Sequence, residues 1–242
     1  MNLLDRTWPT PAENLACDEA LLDACEGGAP GRGEGVLRLH EPESHCVVVG
    51  YGNRVAAEVD QGACEAAGVP ILRRTSGGGT VVLGPGCLAY TLVLPISAAP
   101  ELATVTGTNR WVMERNRSIL ESVLGRSVAV RGFTDLTVGD FKFSGNAQRR
   151  RRNVVLFHGT FLLAMDLGRI SGLLKRPSWE PEYRRGRSHG EFVVNLGVPS
   201  DAVREGMMRG WGVSGAWEAP LEGMISERVR ERFGRPEWNL RL

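Results

Sequence analysis

Arg73-Arg74-Thr75-Ser76-Gly77-Gly78-Gly79 is paired in chemistry with Phe141-Lys142-Phe143-Ser144-Gly145-Asn146-Ala147, well downstream. Three consecutive glycines after two arginines give a backbone able to curl tightly around an anion. Glycine reaches positive φ and leaves no Cβ between the peptide N–H groups and a ligand. The downstream stretch offers one lysine in a strand-like run, followed by small residues that let a ligand approach. Guanidinium groups, free amide donors and one ammonium are what a carboxylate and a phosphate being joined require. The two segments imply an acyl-adenylate site.

Each segment alone has a plainer reading. Gly77-Gly78-Gly79 also suits a flexible turn. It is neither a Walker A loop, which ends in Gly-Lys-Ser/Thr, nor a G-x-G-x-x-G fingerprint. The arginines before it favour the anion site, because a plain turn needs no fixed positive charge. Lys142 alone reads as a surface lysine, but its place between Phe141 and Phe143 predicts partial burial. A desolvated lysine needs an anionic partner or loses its charge.

Outward from these motifs, 242 residues with 42% hydrophobic and 24% charged composition fit one sizeable domain with its own core. The net charge of +1 gives no global attraction to nucleic acid or to an anionic membrane. The start, Met1-Asn2-Leu3-Leu4-Asp5-Arg6, is not a signal peptide, and no apolar run is long enough to span a bilayer. The five cysteines (Cys17, Cys25, Cys46, Cys64 and Cys87) are odd in number and form no C-x-x-C pair. That predicts reduced thiols in a cytoplasmic protein. Four scattered histidines add no metal motif.

The periodicity predicts interleaved helices and strands. Leu15 to Leu22 reads as part of an amphipathic helix begun near Pro11, and Gly27 to Gly35 as a loop. Val36 to Leu39 and Cys46 to Val49 read as short strands, and Glu58 to Ala67 as a helix ended by Gly68. Thr80 to Leu83 and Leu88 to Leu94 suggest a hairpin around Gly84-Pro85-Gly86. Val112, Asn116, Ile119 and Val123 mark one helical stripe; Leu221, Ile225, Val229 and Phe233 mark the last. Leu167 to Leu174 and Asp201 to Met208 read as helices, and strand character returns at Val128 to Val130, Leu136 to Val138 and Phe141 to Ser144. Arg149 to Arg152 separate that last strand from Val154 to Leu163. Together these predict a mixed-sheet α/β (α+β) domain without repeats. The arginine run reads as a solvated hairpin tip, and Trp179, Trp211, Trp217 and Trp238 as packing residues.

The motifs carry a family resemblance. Arg73-Arg74-x-Ser76-Gly77-Gly78-Gly79-x-Val81, Asp135-Leu136 before Lys142-x-Ser144-Gly145-x-Ala147, and His158-Gly159-Thr160-x-Leu162-Leu163 resemble the lipoate–protein ligase family. Asn14-Leu15-Ala16-x-Asp18-x-x-Leu21 resembles its first helix, Val47 to Asn53 a nearby strand and loop, and Arg187-Ser188-His189 through Asn195-Leu196 its closing segment. The resemblance covers residues 8–197 and implies the biotin/lipoate ligase catalytic fold: a mixed, largely antiparallel sheet flanked by helices. It makes 1–242 a single catalytic domain, with 198–242 a C-terminal helical segment and no full accessory domain.

The resemblance implies two half-reactions at one site. Lipoate and ATP form lipoyl-adenylate, which a lysine on a lipoyl carrier domain then attacks. Carriers of the 2-oxoacid dehydrogenase E2 or glycine cleavage H-protein type are implied, with a separate accessory subunit in some members. Lys142 would contact the carboxylate and the α-phosphate, while Arg73, Arg74, Ser76 and the Gly77, Gly78 and Gly79 amides would hold the acyl-phosphate. Asp135 would orient the nucleotide or a Mg²⁺. Ser144, Gly145 and Ala147, with His158, Gly159 and Thr160, would wall the adenylate. The arginine run at 149–152 would also suit attraction of an acidic lipoyl domain.

Two departures stand out. Where such ligases continue the triple glycine with His-Asp, this chain reads Val82-Leu83-Gly84-Pro85-Gly86-Cys87. That turn resembles the ATP-independent octanoyltransferase branch, whose acyl group passes through a cysteine thioester. No cysteine follows Cys87, so the usual nucleophile of that branch is missing. Cys87 itself reads as a nucleophile beside Lys142 or as a small buried hydrophobe. A non-catalytic binder of lipoyl-adenylate is the remaining alternative.

Overall fold

The computed structural model describes residues 1–28 and 33–242. Of the predicted Gly27 to Gly35 loop, residues 29–32 lie outside the described residues. After β1 (Asn2–Asp5), the chain enters α1 (Pro11–Gly27). Thr10 caps this helix, its hydroxyl accepting from Glu13 N–H while the Glu13 carboxylate accepts from Thr10 N–H, and Pro11 supplies a preset φ at the first position. The predicted amphipathic stripe is exceeded here. Apolar and polar residues alike are buried along α1, including Asn14, Asp18 and Glu19.

β2 (Val36–His40) and β3 (Cys46–Val49) are wholly buried. The single helix predicted over 58–67 is two, α2 (Val55–Glu58) and α3 (Gln61–Ala66), because Val59 and Asp60 are extended and the Asp60 side chain caps the second. Then come β4 (Ile71–Arg73), β5 (Val81–Leu83) and β6 (Cys87–Pro95). α4 (Val105–Leu124) buries Val112, Asn116 and Ile119 of the predicted stripe. The strands β7 (Ala129–Arg131), β8 (Asp135–Val138), β9 (Phe141–Arg150) and β10 (Val154–Leu162) form a meander. Arg149 and Arg150 therefore belong to a strand, and only Arg151 and Arg152 reach the turn. The remainder comprises α5 (Gly168–Leu173), α6 (His189–Phe192), α7 (Ser200–Gly210), β11 (Gly215–Ala216), α8 (Glu222–Arg228), a π-helical turn over Val229–Phe233, and α9 (Pro236–Asn239).

The strands make an eight-stranded sheet, β11-β1-β2-β6-β10-β9-β8-β7, and a three-stranded sheet, β4-β3-β5. The large sheet is antiparallel except at β11-β1 and β1-β2. β5 and β6 are not a hairpin, contrary to the sequence reading. β5 pairs with β3 in the small sheet, whereas β6 pairs with β2 and β10 in the large one. Gly86 explains the switch. It has φ +86, and a Cβ there would lie 2.4 Å from the Ala164 carbonyl carbon, so only glycine lets the chain hug the end of β10.

Helices cover both faces of the large sheet, which is why its central strands read as near-continuous apolar runs. α4 and α7 pack on the face carrying Leu37, Leu92, Phe157 and Phe161. α1 and α8 pack on the face carrying Val36, Val93 and Leu156. Trp211 and Trp217 are buried as predicted, but Trp179 is 62% exposed. No helix among the described residues is long and apolar enough to cross a membrane.

Close packing of α7 on α4 depends on a missing side chain. A Cβ at Gly206 would sit 2.4 Å from Val123 Cγ2. Gly206→Ala should therefore destabilise by about 1–3 kcal/mol, lowering Tm by about 2–4 °C per kcal/mol. Adding Val123→Ala should recover part of the loss; a double variant no more stable than Gly206→Ala in thermal unfolding would contradict this packing.

Candidate active site

The glycine loop leaves β4 directly after Arg73, and consecutive strand residues point to opposite sides. Arg74 turns inward and becomes the loop's centre. Its Nε donates to Ser76 Oγ at 3.0 Å, and its Nη2 donates to the Gly77 and Gly79 carbonyls at 2.6 and 2.7 Å. Burial pushes its pKa down to about 10, still a cation at neutral pH. With the carbonyls drawn to the guanidinium, no protein group among the described residues accepts from the N–H of Gly77, Gly78 or Gly79. Free amides beside a fixed cation are the makings of an anion cradle. Gly50 permits the fold-over, since a Cβ there would lie 2.1 Å from the Gly78 carbonyl oxygen.

Arg73 points the other way and is fully buried. Its guanidinium donates to the carbonyls of Gly50 at 3.0 Å, Asn53 at 2.8 Å, Trp238 at 3.3 Å and Arg241. It ties the base of the glycine loop to the C-terminal segment and does not line the cavity described below, which corrects the phosphate role expected for it. Ser76 and Gly77 also stand behind the cavity wall.

The lysine corner is built by β8 and β9, whose pairing slips at Leu136 and Thr137. Lys142 is half-buried, as the flanking phenylalanines predict, with Phe143 in the core and Phe141 exposed. Its Nζ lies 2.7 Å from Asp135 Oδ1, and Tyr183 OH donates to Asp135 Oδ2 at 2.7 Å. A Cβ at Gly145 would come within 2.9 Å of Nζ, so the glycine gives the ammonium its room. Both Asp135 oxygens are thus engaged. No group of three or more His, Cys, Asp or Glu side chains that could hold a metal exists among the described residues. In this arrangement Asp135 serves as the counter-ion of Lys142.

Across the large sheet, two rows face the cavity. Arg38, Thr91, His158 and Ala147 pair in one row, and His40, Ala89, Thr160 and Gly145 in the next. Asp18 of α1 reaches down to the first row. Its Oδ1 accepts from Arg38 Nη1 at 2.7 Å and Thr91 Oγ1 at 2.8 Å, and its Oδ2 from His158 Nδ1 at 3.1 Å. The opposite ring nitrogen of His158 lies 2.7 Å from Ser76 Oγ, so the network runs from α1 through the sheet into the glycine loop. Sequence reasoning did not single out Arg38 or His40. The available signal was a charged residue inside the apolar run Val36-Leu37-Arg38-Leu39.

Between this face, the small sheet and the start of α1 lies a cavity of about 330 Å³. Leu15, Val48, Val81 and Leu83 supply an apolar wall; Arg74, Asp135, Lys142, His158 and Thr160 supply a polar one. Gly78, Gly79, Ser144, Gly145, Ala147 and Gly159 complete the lining among the expected residues. Gly159 is required by its neighbour, since a Cβ there would overlap Asn146 Oδ1 at 1.7 Å. Such a cavity takes a chain with an apolar body and an anionic head.

Residues 10–199 match the family described as the lipoyl protein ligase A/B catalytic domain. The chain belongs to this family. It is 28% identical to octanoyltransferase LipM of Exiguobacterium sibiricum over 95% of this chain and 94% of that relative. Two solved structures share its fold. One is the bipartite lipoate protein ligase of Thermoplasma acidophilum, solved in a study that includes its E2 lipoyl domain, with a TM-score of 0.82, 24% identity and coverage of 99% of this chain and 95% of that one. The other is a lipoate-protein ligase A bound with ATP, with a TM-score of 0.82, 24% identity and coverage of 99% and 97%.

The Asp18 network gives a pH signature. Burial pushes its carboxyl up, but the His158 hydrogen bond and the Arg38 charge outweigh burial and hold it well below the usual carboxylate range. A depressed folded pKa means that the unfolded chain binds more protons in acid, so stability rises with pH. The contribution is whole above the unfolded value near 3.8 and fades as pH falls below it. Asp18→Asn should lower stability at neutral pH by about 3 kcal/mol, because Arg38 is left as an uncompensated buried charge. It should also flatten the acid limb of thermal stability against pH; an unchanged limb would contradict the network's role.

Proposed function

We propose that this chain is an acyl-activating lipoate–protein ligase. It joins lipoate to AMP with release of pyrophosphate from ATP, then transfers the acyl group to a lysine of a lipoyl domain. One observation carries the reading: Lys142 shares its cavity with Gly78 and Gly79, while Cys46 on the same lining is buried in an apolar strand. In the first step a carboxylate oxygen bonds to the α-phosphorus and the bridge to the β-phosphate breaks. Charge grows on the oxygens between carbonyl and phosphorus, where an ammonium and fixed amides are worth most. In the second step the carrier amine attacks the carbonyl carbon, and AMP leaves with the bonding pair. Asp135 holds Lys142 in place until an anion shares it.

The rival reading, ATP-independent acyl transfer through a thioester, draws support from the octanoyltransferase relative. It needs a thiolate next to Lys142. All five cysteines are buried. Cys46, which lines the cavity, is pushed up to about 12 by burial, and Cys87, held 3.3 Å from Met165 Sδ, to about 11. Both are thiols at neutral pH and poor nucleophiles. By the same reading the chain acts as one catalytic domain in the cytoplasm. Its carriers are lipoyl domains of the E2 or H-protein type, and a separate accessory subunit, as in the bipartite relative, assists transfer.

Lipoate-dependent exchange of labelled pyrophosphate into ATP tests the reading. Lys142→Ala should lower the exchange rate by about 10²–10³ with circular dichroism unchanged, while Cys46→Ser and Cys87→Ser should stay close to wild type. Exchange unaffected by Lys142→Ala would remove the lysine from the mechanism. Loss of acyl transfer in a folded Cys46→Ser protein would instead support the thioester.

A further inference from the structure

A buried cation on the cavity wall lies outside every motif discussed so far. Arg184, in the segment between α5 and α6, has a side chain only 6% exposed and lines the same cavity as Lys142. Its Nε donates to the Arg187 carbonyl at 2.9 Å, and its guanidinium lies 4.8 Å from the Phe192 ring centroid. Its Nη2 has no hydrogen-bond partner. An unsatisfied donor on a buried cation is costly, and such groups persist where a ligand completes them.

The segment is braced to hold that guanidinium in place. Arg187 donates from Nε to the Arg184 carbonyl at 3.0 Å, and from Nη2 to the carbonyls of Asp140 and Tyr183 at 3.0 Å each. Arg185 adopts φ +53, left-handed for a residue with a Cβ, a strain of the kind kept at binding sites. Glu180 pairs with Arg184 through Nε and at ion-pair distance only, which leaves Nη2 without a partner. Glu180 Oε1 accepts from Gly186 N–H at 2.9 Å, and its Oε2 approaches Arg184 Nε only to 3.6 Å. Asp135 is held by Lys142 and Tyr183. Burial, joined by the charges of Arg184 and Lys142 against that of Glu58, pushes His189 on the same wall down to about 4.

We propose that Arg184 is the pyrophosphate-binding residue of the cavity, taking the β- and γ-phosphates of a nucleoside triphosphate while Lys142 and the glycine amides take the α-phosphate. This rests on the ATP-dependent reading above. The carboxylate attacks at the α-phosphorus, so that phosphate must sit with Lys142. Arg74 is taken up by its own loop, so Arg184 is the cation of the same cavity with a donor left for the two phosphates that depart. As the bond between the α-phosphorus and the bridging oxygen breaks, the electron pair leaves on pyrophosphate. A guanidinium fork meets that developing charge through two parallel N–H groups.

The test is titration of the purified protein with inorganic pyrophosphate, ATP and lipoate separately, for wild type, Arg184→Gln and Arg184→Lys. Arg184→Gln should weaken pyrophosphate by about tenfold or more, the value of one charge-assisted hydrogen bond. It should raise the ATP KM for pyrophosphate exchange similarly and leave lipoate affinity unchanged. Arg184→Lys should fall between, since an ammonium keeps the charge without the fork; if Arg184→Gln does not fold, this variant carries the comparison. Unchanged pyrophosphate affinity, or parallel loss of pyrophosphate and lipoate, would overturn the proposal while leaving the ligase reading intact if wild type binds ATP. Wild type that binds neither ATP nor pyrophosphate would remove both.

Discussion

A buried carboxylate must be paired, and the pairing of Asp18 organises the rest of the site. Its two oxygens draw together α1, three neighbouring strands of the large sheet through Arg38, Thr91 and His158, and, one bond further, the glycine loop through Ser76. Removing any partner would leave a charge or a donor stranded at near-zero exposure. The glycine loop is therefore anchored by the charge network that holds the first helix to the sheet. Its Arg74 centre then fixes which way the peptide groups face. The Gly77 and Gly79 carbonyls turn to the guanidinium, which leaves Gly78 and Gly79 on the cavity lining with N–H groups that no protein group among the described residues accepts from.

The residues that meet in the cavity were legible in the sequence where local pattern determines them. Three glycines after a cation, and a lysine followed by Ser-Gly-x-Ala, both depend on backbone freedom and small side chains within a few residues, and both segments reach one cavity. The flanking phenylalanines marked Lys142 as half-buried, although the irregular β8–β9 pairing leaves Phe141 exposed and Phe143 in the core. The helical stripe of α4 was equally readable from its period.

What the sequence hid depends on distant parts of the chain. Nothing local separates Arg73 from Arg74. One is claimed by carbonyls from residues 238 and 241 and the other by its own loop. The Gly84-Pro85-Gly86 turn looks like a hairpin until β5 and β6 are seen to belong to different sheets, a choice made by β3 and β10. α1 carries polar residues into the core because their partners are on other strands, so its period was misleading. Arg184 carries no motif at all. Its burial comes from Phe192 and Arg187 and from a backbone reversal at Arg185.

The electrostatics of the cavity bear directly on which branch of the family's chemistry this chain performs. Cations and amides line the polar wall, whereas the cysteine that reaches the cavity sits in an apolar strand that suppresses its ionisation. The most direct measurement is the intact mass of an apo lipoyl domain after incubation with this protein, lipoate and Mg-ATP, with a parallel sample lacking ATP. The account predicts a lipoyl-sized mass gain only where ATP is present, with the accessory subunit added if the chain alone transfers slowly. A gain without ATP, or from an acyl thioester donor alone, would contradict it.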